Sequence, residues 1–474
     1  MKVAVAGGGV SGLAAAWELA RRGCDVTVYE PGRLGGKLLT SSFLGLPVDE
    51  GPDALLARVP EGVGLCRELG LGEDLVAPAA SKALLYTGGK LRPLPDGLVL
   101  GAPARLLPVA RSRILSPSAL ARAACDLVLP RSALGADAGV GELVSARFGR
   151  QVATELVGPL VGSIYAGPVE GLSAATATPQ LLEAARAQRS LLLSLRRTGR
   201  KAAAAPDLSG AAPAPVFVAP RRGMQSIADA LADGLSPAVP VAVSGLRLDG
   251  NSIVVLPDEQ HYEAVVVAVP APAAVRLLGP LLEPGTAFPV GLSSLRFASV
   301  AIVTLGVATA DLPVPPGYSG VLVGGAEGML MTACSFGSNK WPHWGAPGTS
   351  VLRISVGRAG DERWTAHSDE DLVGLLLDEL GRVLGGRRPA PPALLPGGWR
   401  VSRWPDALPQ YPVGHLANVA ALRRGLAPHA ATVSLAGASF GRVGIPACIA
   451  SARAAAAAVL PTARAGVAGS TSRD

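Results

Sequence analysis

The stretch VAVAGGGVSGLAAAWELARRG, Val3 to Gly23, constrains this chain more than any other. Two structures compete for it: a strand, a glycine turn and a helix, or a secretory leader with Lys2 as its charged start. A leader needs an unbroken apolar core followed by a small-residue cleavage site, and Gly7, Gly8 and Gly9 fall where that core would run. Glu18, Arg21 and Arg22 restore charge on one helical face, and Gly23 suits a left-handed helix end. The stretch therefore reads as folded protein: strand Lys2–Ala6, turn, helix from about Ser11 to Arg22, and a second strand from Asp25 to Glu30. Strands joined through a helix lie parallel, which makes the chain α/β.

Within the turn, Gly7, Gly9 and Gly12 form a GxGxxG pattern, with Gly8, Val10 and Ser11 between them. The first glycine permits the tight turn, the second lets backbone approach a pyrophosphate, and the third lets helix and strand close on each other. The helix start adds free N–H groups and partial positive charge. Glu30 ends the next strand, where a carboxylate accepts hydrogen bonds from ribose hydroxyls. A purely structural glycine turn is the alternative.

The 474 residues are too many for one ordinary core, and 49% hydrophobic with 17% charged residues excludes a disordered chain. The net charge of +7 comes from dispersed arginines without basic runs and interleaved aromatics, so it fits an anionic small molecule or anionic headgroups and not nucleic acid. Cys24, Cys66, Cys125, Cys334 and Cys448 are scattered and odd in number, which disfavours a disulfide framework or a zinc site and fits a reducing cytoplasm. No run reaches the roughly 18 apolar residues of a membrane span.

From about Ala102 to Arg200 the texture turns to Ala/Leu/Arg segments with helical spacing, read as a helical insertion. KAAAAPDLSGAAPAP, Lys201 to Pro215, reads as a mobile connection. Sheet-forming runs then resume, Ser368 precedes an acidic first turn as a helix N-cap, and TVSLAGASFGRVGIPACIASARAAAAAVL supplies a last strand, turn and helix.

Three further segments carry chemistry. In RLGGKLLT, Arg33 precedes Gly35, Gly36 and Lys37, so a guanidinium and bare backbone can both close on a pyrophosphate, a pairing that favours FAD over NAD. In VDEGPDALL, Gly51 permits close approach beside Pro52, Asp53 and Ala54, while Asp49 and Glu50 read equally as solvated charge. Near the carboxyl end, Gly437, Val443, Gly444 and Ile445 lead into a helix whose amino end can stabilise an anionic reduced ring.

Together these segments resemble the monoamine oxidase and phytoene desaturase superfamily of FAD proteins, and within it the porphyrinogen oxidases of haem biosynthesis. GPLVGSIYAGPVEGLSAATATPQLL and RWPDALPQYPVGH are similar to its helical-domain signature and to the segment before its last FAD motif. MTACSFGSNKWPHW, LRISVGRAGDE and SDEDLV resemble the coproporphyrinogen III oxidases of Gram-positive bacteria more than the protoporphyrinogen enzymes of mitochondria and plastids. The resemblance implies a Rossmann-like FAD-binding domain of the glutathione reductase and monoamine oxidase type, with a mixed-sheet substrate domain and the helical insertion. It divides the chain into FAD-binding parts 1–75, 216–290 and 426–463, substrate-binding parts 76–101 and 291–425, an insertion 102–200, a connection 201–215 and a disordered tail 464–474.

The resemblance also implies that Pro31, Val243 and Trp404 border the cofactor. Plant and animal members place a carboxylate-binding arginine shortly after the LYTGGKLRPLP-like segment, where Val99 stands here; Arg92 and Lys340 are the candidate substrate residues. The implied reaction removes six electrons from a tetrapyrrole in three flavin cycles, each closed by molecular oxygen with release of hydrogen peroxide, so no catalytic side chain is required. Haem-pathway proteins are candidate partners, and the helical insertion either covers the cleft or rests on a membrane surface. The five histidines show no triad or metal spacing. Two rivals are another FAD oxidase of amines or carotenoids and a non-catalytic flavin protein. Aromatic residues total only 4%, too few for an amine oxidase's aromatic cage.

Overall fold

In the computed structural model, residues 1–131, 135–204, 215–283, 288–314, 317–385 and 392–460 are described. A four-stranded parallel sheet is assembled from three distant parts of the chain, in the order Asp25–Tyr29, Lys2–Ala6, Ala264–Val267, Val433–Leu435. These strands are short apolar runs buried on both faces, the pattern expected when helices or further sheet cover each side. We label Lys2–Ala6 β1, the helix Val10–Ala20 α1 and Asp25–Tyr29 β2.

On one face, α1 packs against the carboxyl-terminal helix Ile445–Val459, burying Leu13, Ala16 and Leu19 with Ile449, Ala452 and Ala456. The opposite face meets a three-stranded meander, Gly245–Asp249, Ser252–Leu256 and Gln260–Tyr262, through Ala4, Ala6 and Tyr29. The helix α1 begins one residue before and ends two residues before the span read from sequence, because its chain leaves the helical path at Arg22 and Gly23, the latter at φ +79°.

A second, seven-stranded mixed sheet runs in the order Leu394–Pro409, Phe297–Ala308, Thr349–Val356, Met331–Phe336, Tyr318–Val323, Lys82–Thr87, Lys90–Pro93. Only Tyr318–Val323 with Lys82–Thr87 is a parallel pair; the rest are antiparallel. The helix Asp369–Leu384 covers this sheet through Leu372, Leu376 and Leu380, and its start is capped by the Ser368 hydroxyl, which accepts the Asp371 N–H at 3.1 Å.

Helices between Leu106 and Ala204 form a third layer around Leu143, Phe148, Leu156 and Leu181. Residues Ala153–Val157 form a π-type turn within it, a local widening that recurs at functional sites. The mobile connection read at 201–215 falls largely outside the described residues, its first four residues extending the helix Leu191–Ala204; the tail 464–474 lies wholly outside them.

Candidate active site

The glycine turn between β1 and α1 lies at the carboxyl edge of the parallel sheet, where open α/β sheets bind their ligands. Gly7 has φ +105° and donates its N–H to the Tyr29 carbonyl at 2.9 Å. A Cβ on Gly12 would stand 1.8 Å from the Gly7 oxygen, so the helix closes on the turn only without a side chain there. Gly9 differs: a Cβ on it would meet nothing within 4 Å, and its φ of −70° suits any residue. Its bareness serves no contact inside the protein. It leaves a cradle in front of the α1 amino terminus, whose N-cap makes no side-chain hydrogen bond, so the N–H groups of Val10 and Ser11 remain for an anion.

The loop after β2 folds onto this turn. Glu30 accepts the Gly8 N–H at 2.8 Å with one carboxylate oxygen and the Gly32 N–H at 2.9 Å with the other, so each oxygen keeps a lone pair for a hydroxyl. Gly35 donates to the Gly8 carbonyl at 2.8 Å, and Gly36 lies over the Gly9 Cα. Pro31 stands exposed at the loop's start. Arg33, read from sequence as a pyrophosphate clamp, spends three donor contacts on the carbonyls of Leu34, Leu38 and Gly36 and acts first as the staple of its own loop. Lys37 makes no hydrogen bond or ion pair among the described residues. Its ammonium reaches water but is surrounded by protein, and that enclosure lowers its pKa, with Cys448 and Asp406 partly offsetting it.

The carboxyl-terminal helix closes the groove from the other side. Gly437 (φ +106°) lies against the Ser11 side chain, and Gly444 (φ +114°) caps the helix with open space where a Cβ would stand. Ile445 is buried under it, and Val443 packs on the helical layer. Two helix amino termini without side-chain caps, a ring of bare glycines and one unpartnered lysine thus converge on one groove. This donor set fits FAD, whose pyrophosphate and reduced ring both carry negative charge. Val243 is partly buried against the cluster under the meander.

The VDEGPDALL segment forms the most heavily charged part of the site. Asp53 and Glu50 are paired with cations, Lys340 from the helical turn Gly337–Lys340 and Arg353 and Arg400 from strands of the seven-stranded sheet, whereas Asp49 is held by neutral donors. Lys340 donates to Asp53 Oδ2 at 2.8 Å, the Trp341 indole N–H at 3.1 Å, and Arg353 lies 3.5 Å from the same oxygen while bonding the Gly51 carbonyl. Burial alone would raise the Asp53 pKa; Lys340, Arg353 and these hydrogen bonds outweigh it and hold the carboxyl well below the usual range. Glu50 accepts from Ser41 and Ser402, both at 2.7 Å, beside Arg400. Asp49 is the opposite case: burial pushes its pKa up to about 6, although the Thr40 hydroxyl and the Met224 N–H at 2.8 Å both donate to it. Trp404 donates to the Glu50 carbonyl at 2.9 Å and covers Gly51, whose absent Cβ would lie 2.2 Å from the Lys37 carbonyl. Pro52 and Ala54 are half-buried on either side of Asp53.

Between the helical layer and the seven-stranded sheet runs a cleft of about 500 Å³. Val300, Ile302 and Val356 form its sheet wall, Pro159 and Gly162 part of its helical wall. Neither substrate candidate read from sequence lines it. Arg92 donates to the Ser112 carbonyl at 3.2 Å, and Lys340 is taken up by Asp53. An arginine or lysine in a strand or loop finds the nearest buried acceptor, and residue type alone did not reveal that acceptor. The reading of Asp49 and Glu50 as solvated charge is likewise corrected, for Asp49 is 1% exposed. The residues missed were Arg353 and Arg400; the available signal was a lone arginine inside the apolar run SVLRISV.

The flavin-containing amine oxidoreductase family matches residues 10–460. A coproporphyrinogen III oxidase of Bacillus subtilis strain 168 is 31% identical over 472 residues, covering 96% of each chain. One of Mycobacterium leprae strain TN is 35% identical over 458 residues, covering 94% of this chain and 96% of its own. The crystal structure of an Exiguobacterium sp. 255-15 protein described as a protoporphyrinogen oxidase superposes with a TM-score of 0.82 at 29% identity, covering 97% of this chain and 98% of that one.

Proposed function

The chain belongs to the flavin-containing amine oxidoreductase family, and from that premise we propose that it is an FAD-dependent coproporphyrinogen III oxidase, converting the substrate to coproporphyrin III. The likeness to coproporphyrinogen III oxidases along almost the whole chain carries this reading. FAD, when bound, supplies the redox step, taking six electrons in three two-electron cycles while three molecules of oxygen leave as hydrogen peroxide.

The protein's share is binding and orientation. The amino terminus of α1, with Lys37, would hold the pyrophosphate, Glu30 would hold the ribose, and the amino end of the carboxyl-terminal helix would stabilise the anionic reduced ring. The clasp on Asp53 keeps Gly51 and Trp404 in fixed register with the sheet that walls the cleft. Apolar side chains there exclude water around a macrocycle. Oxygen as acceptor, haem-pathway partner proteins and a peripheral membrane contact through residues 102–200 belong to the same proposal. Among the described residues no helix is long and apolar enough to cross a membrane.

A protoporphyrinogen preference is the second reading, favoured by the description of the Exiguobacterium structure. The test is to purify the protein with its flavin and follow porphyrin fluorescence with anaerobically prepared coproporphyrinogen III and protoporphyrinogen IX. Faster formation of coproporphyrin with matching peroxide supports the proposal. Clear preference for protoporphyrinogen IX overturns the substrate assignment, and turnover of neither overturns the porphyrinogen reading.

A further inference from the structure

Among the described residues the cleft is lined by one cation, and its position is fixed from both walls. Arg358 follows the strand Thr349–Val356 and projects among the cleft-lining residues. Its loop is fixed to both walls: the Ala359 N–H donates to the Ala166 carbonyl of the helical layer at 2.7 Å, and Gly357 (φ +95°) lies so close to the sheet that a Cβ would be 2.5 Å from the Ser299 oxygen. Ala166, at the receiving end, is held at φ +48°, a conformation costly for alanine and maintained only where surroundings enforce it. Gly325 clears space beside the guanidinium, since a Cβ there would stand 3.2 Å from Nη1.

For a half-buried guanidinium with five N–H groups, the contacts are few. Among the described residues its side chain makes one hydrogen bond, to the Val323 carbonyl at 3.5 Å, and no ion pair. Among the described residues none of the neighbouring acids forms an ion pair with it. Asp361 is bound by Arg363 through two contacts of 2.7 Å, and Glu155 accepts the Thr87 hydroxyl at 2.6 Å. Glu170 is exposed at the rim, where water screens it. Burial lowers the Arg358 pKa, with Asp361 opposing and Arg363 adding to the effect. A cation that has lost water without gaining a counter-ion is stabilised by any anion that enters.

We propose that Arg358 binds a carboxylate of the tetrapyrrole in this cleft. The inference rests on the porphyrinogen reading above and adds the residue which that reading left open, since neither Arg92 nor Lys340 lines the cleft. A charged, paired hydrogen bond of this type corresponds to about a 10- to 100-fold change in affinity.

The test compares coproporphyrin III with its tetramethyl ester, in the same detergent, as ligands of the flavin-loaded wild type, Arg358→Gln and Arg358→Lys, together with the KM for coproporphyrinogen III. Support is an Arg358→Gln protein with normal flavin content that binds the acid about 10- to 100-fold more weakly, binds the ester like wild type, and shows a matching rise in KM. Arg358→Lys should recover part of the loss, and if Arg358→Gln does not fold, a selective loss for the acid in Arg358→Lys carries the same meaning. Unchanged affinity for the acid, or equal losses for acid and ester, overturns the assignment while leaving the proposed activity standing. A wild type that neither binds coproporphyrin nor oxidises a porphyrinogen overturns the activity itself.

Discussion

The glycine turn and the acidic clasp are neighbours, joined where the Lys37 carbonyl lies against Gly51, yet they are made in opposite ways. The turn is backbone: Gly7, Gly9 and Gly12 act by lacking side chains, and all three lie within six residues of the chain. The clasp is side chains: Asp53 is paired with Lys340, 287 residues away, in a setting where an unpaired charge would be expensive. A ligand groove assembled from several chain segments needs both kinds of part. Backbone donors suit a cofactor that must be cradled closely, and ion pairs lock the resulting floor to the seven-stranded sheet.

The contrast can be broken most forcefully at Gly12. Gly12→Val places a side chain on the Gly7 oxygen, and a loss exceeding about 4 kcal/mol is expected in chemical denaturation, enough to prevent recovery of folded protein. A yellow, stable variant would show that the turn is not sterically closed.

The clasp should respond next. Lys340→Met leaves the buried Asp53 carboxylate with the Trp341 indole at 3.1 Å and Arg353 at 3.5 Å as its remaining cation, and a loss of about 3 kcal/mol is expected from urea midpoints. Adding Asp53→Asn to that variant should restore at least half of it. If the double variant is no better than the single one, Lys340 stabilises through packing and not through the pair.

Asp49 gives a smaller effect with a definite sign. Its folded pKa of about 6 lies above the reference value of 3.8, so the fold binds this proton more tightly than the unfolded chain does. That contribution is fully present below the unfolded pKa and is lost as pH rises through about 6. Relative to Asp49→Asn, the wild type should therefore gain about 2 kcal/mol when pH falls from 7 to about 4.5, using 1.36 kcal/mol per pKa unit. A flat difference across that range would place the charge in a wetter site than the geometry shows.

The smallest expected effect on stability is at Gly9. With open space at its Cβ position, Gly9→Leu should alter apoprotein stability by no more than about 1 kcal/mol while abolishing flavin retention, read from the ratio of visible to ultraviolet absorbance. Normal flavin content would refute the assignment of the cradle.

Much of the fold was legible because its signals are local. Alternating and continuous apolar runs marked β1, Ala264–Val267 and Phe297–Ala308, and Ser368 with its acidic first turn marked the start of Asp369–Leu384. The site was legible only in part. GxGxxG and the glycines at Gly437 and Gly444 could be located because they work through backbone geometry, and Glu30 because it directly follows the strand beside the turn. Asp49, Glu50, Lys340 and Arg92 could not, since a charged residue in a loop looks the same whether it faces water or a counter-ion.

What the sequence determined by itself was the βαβ unit and the places where glycine is required, for φ, ψ and steric clash are decided between near neighbours in the chain. Tertiary structure alone decided which cation meets Asp53, that Arg33 turns back on its own loop, and that Arg358 is left, among the described residues, with a single long side-chain hydrogen bond in a cleft between the helical layer and the seven-stranded sheet. Those outcomes depend on which distant segments exclude water together, and the strength of every charge interaction follows from that exclusion.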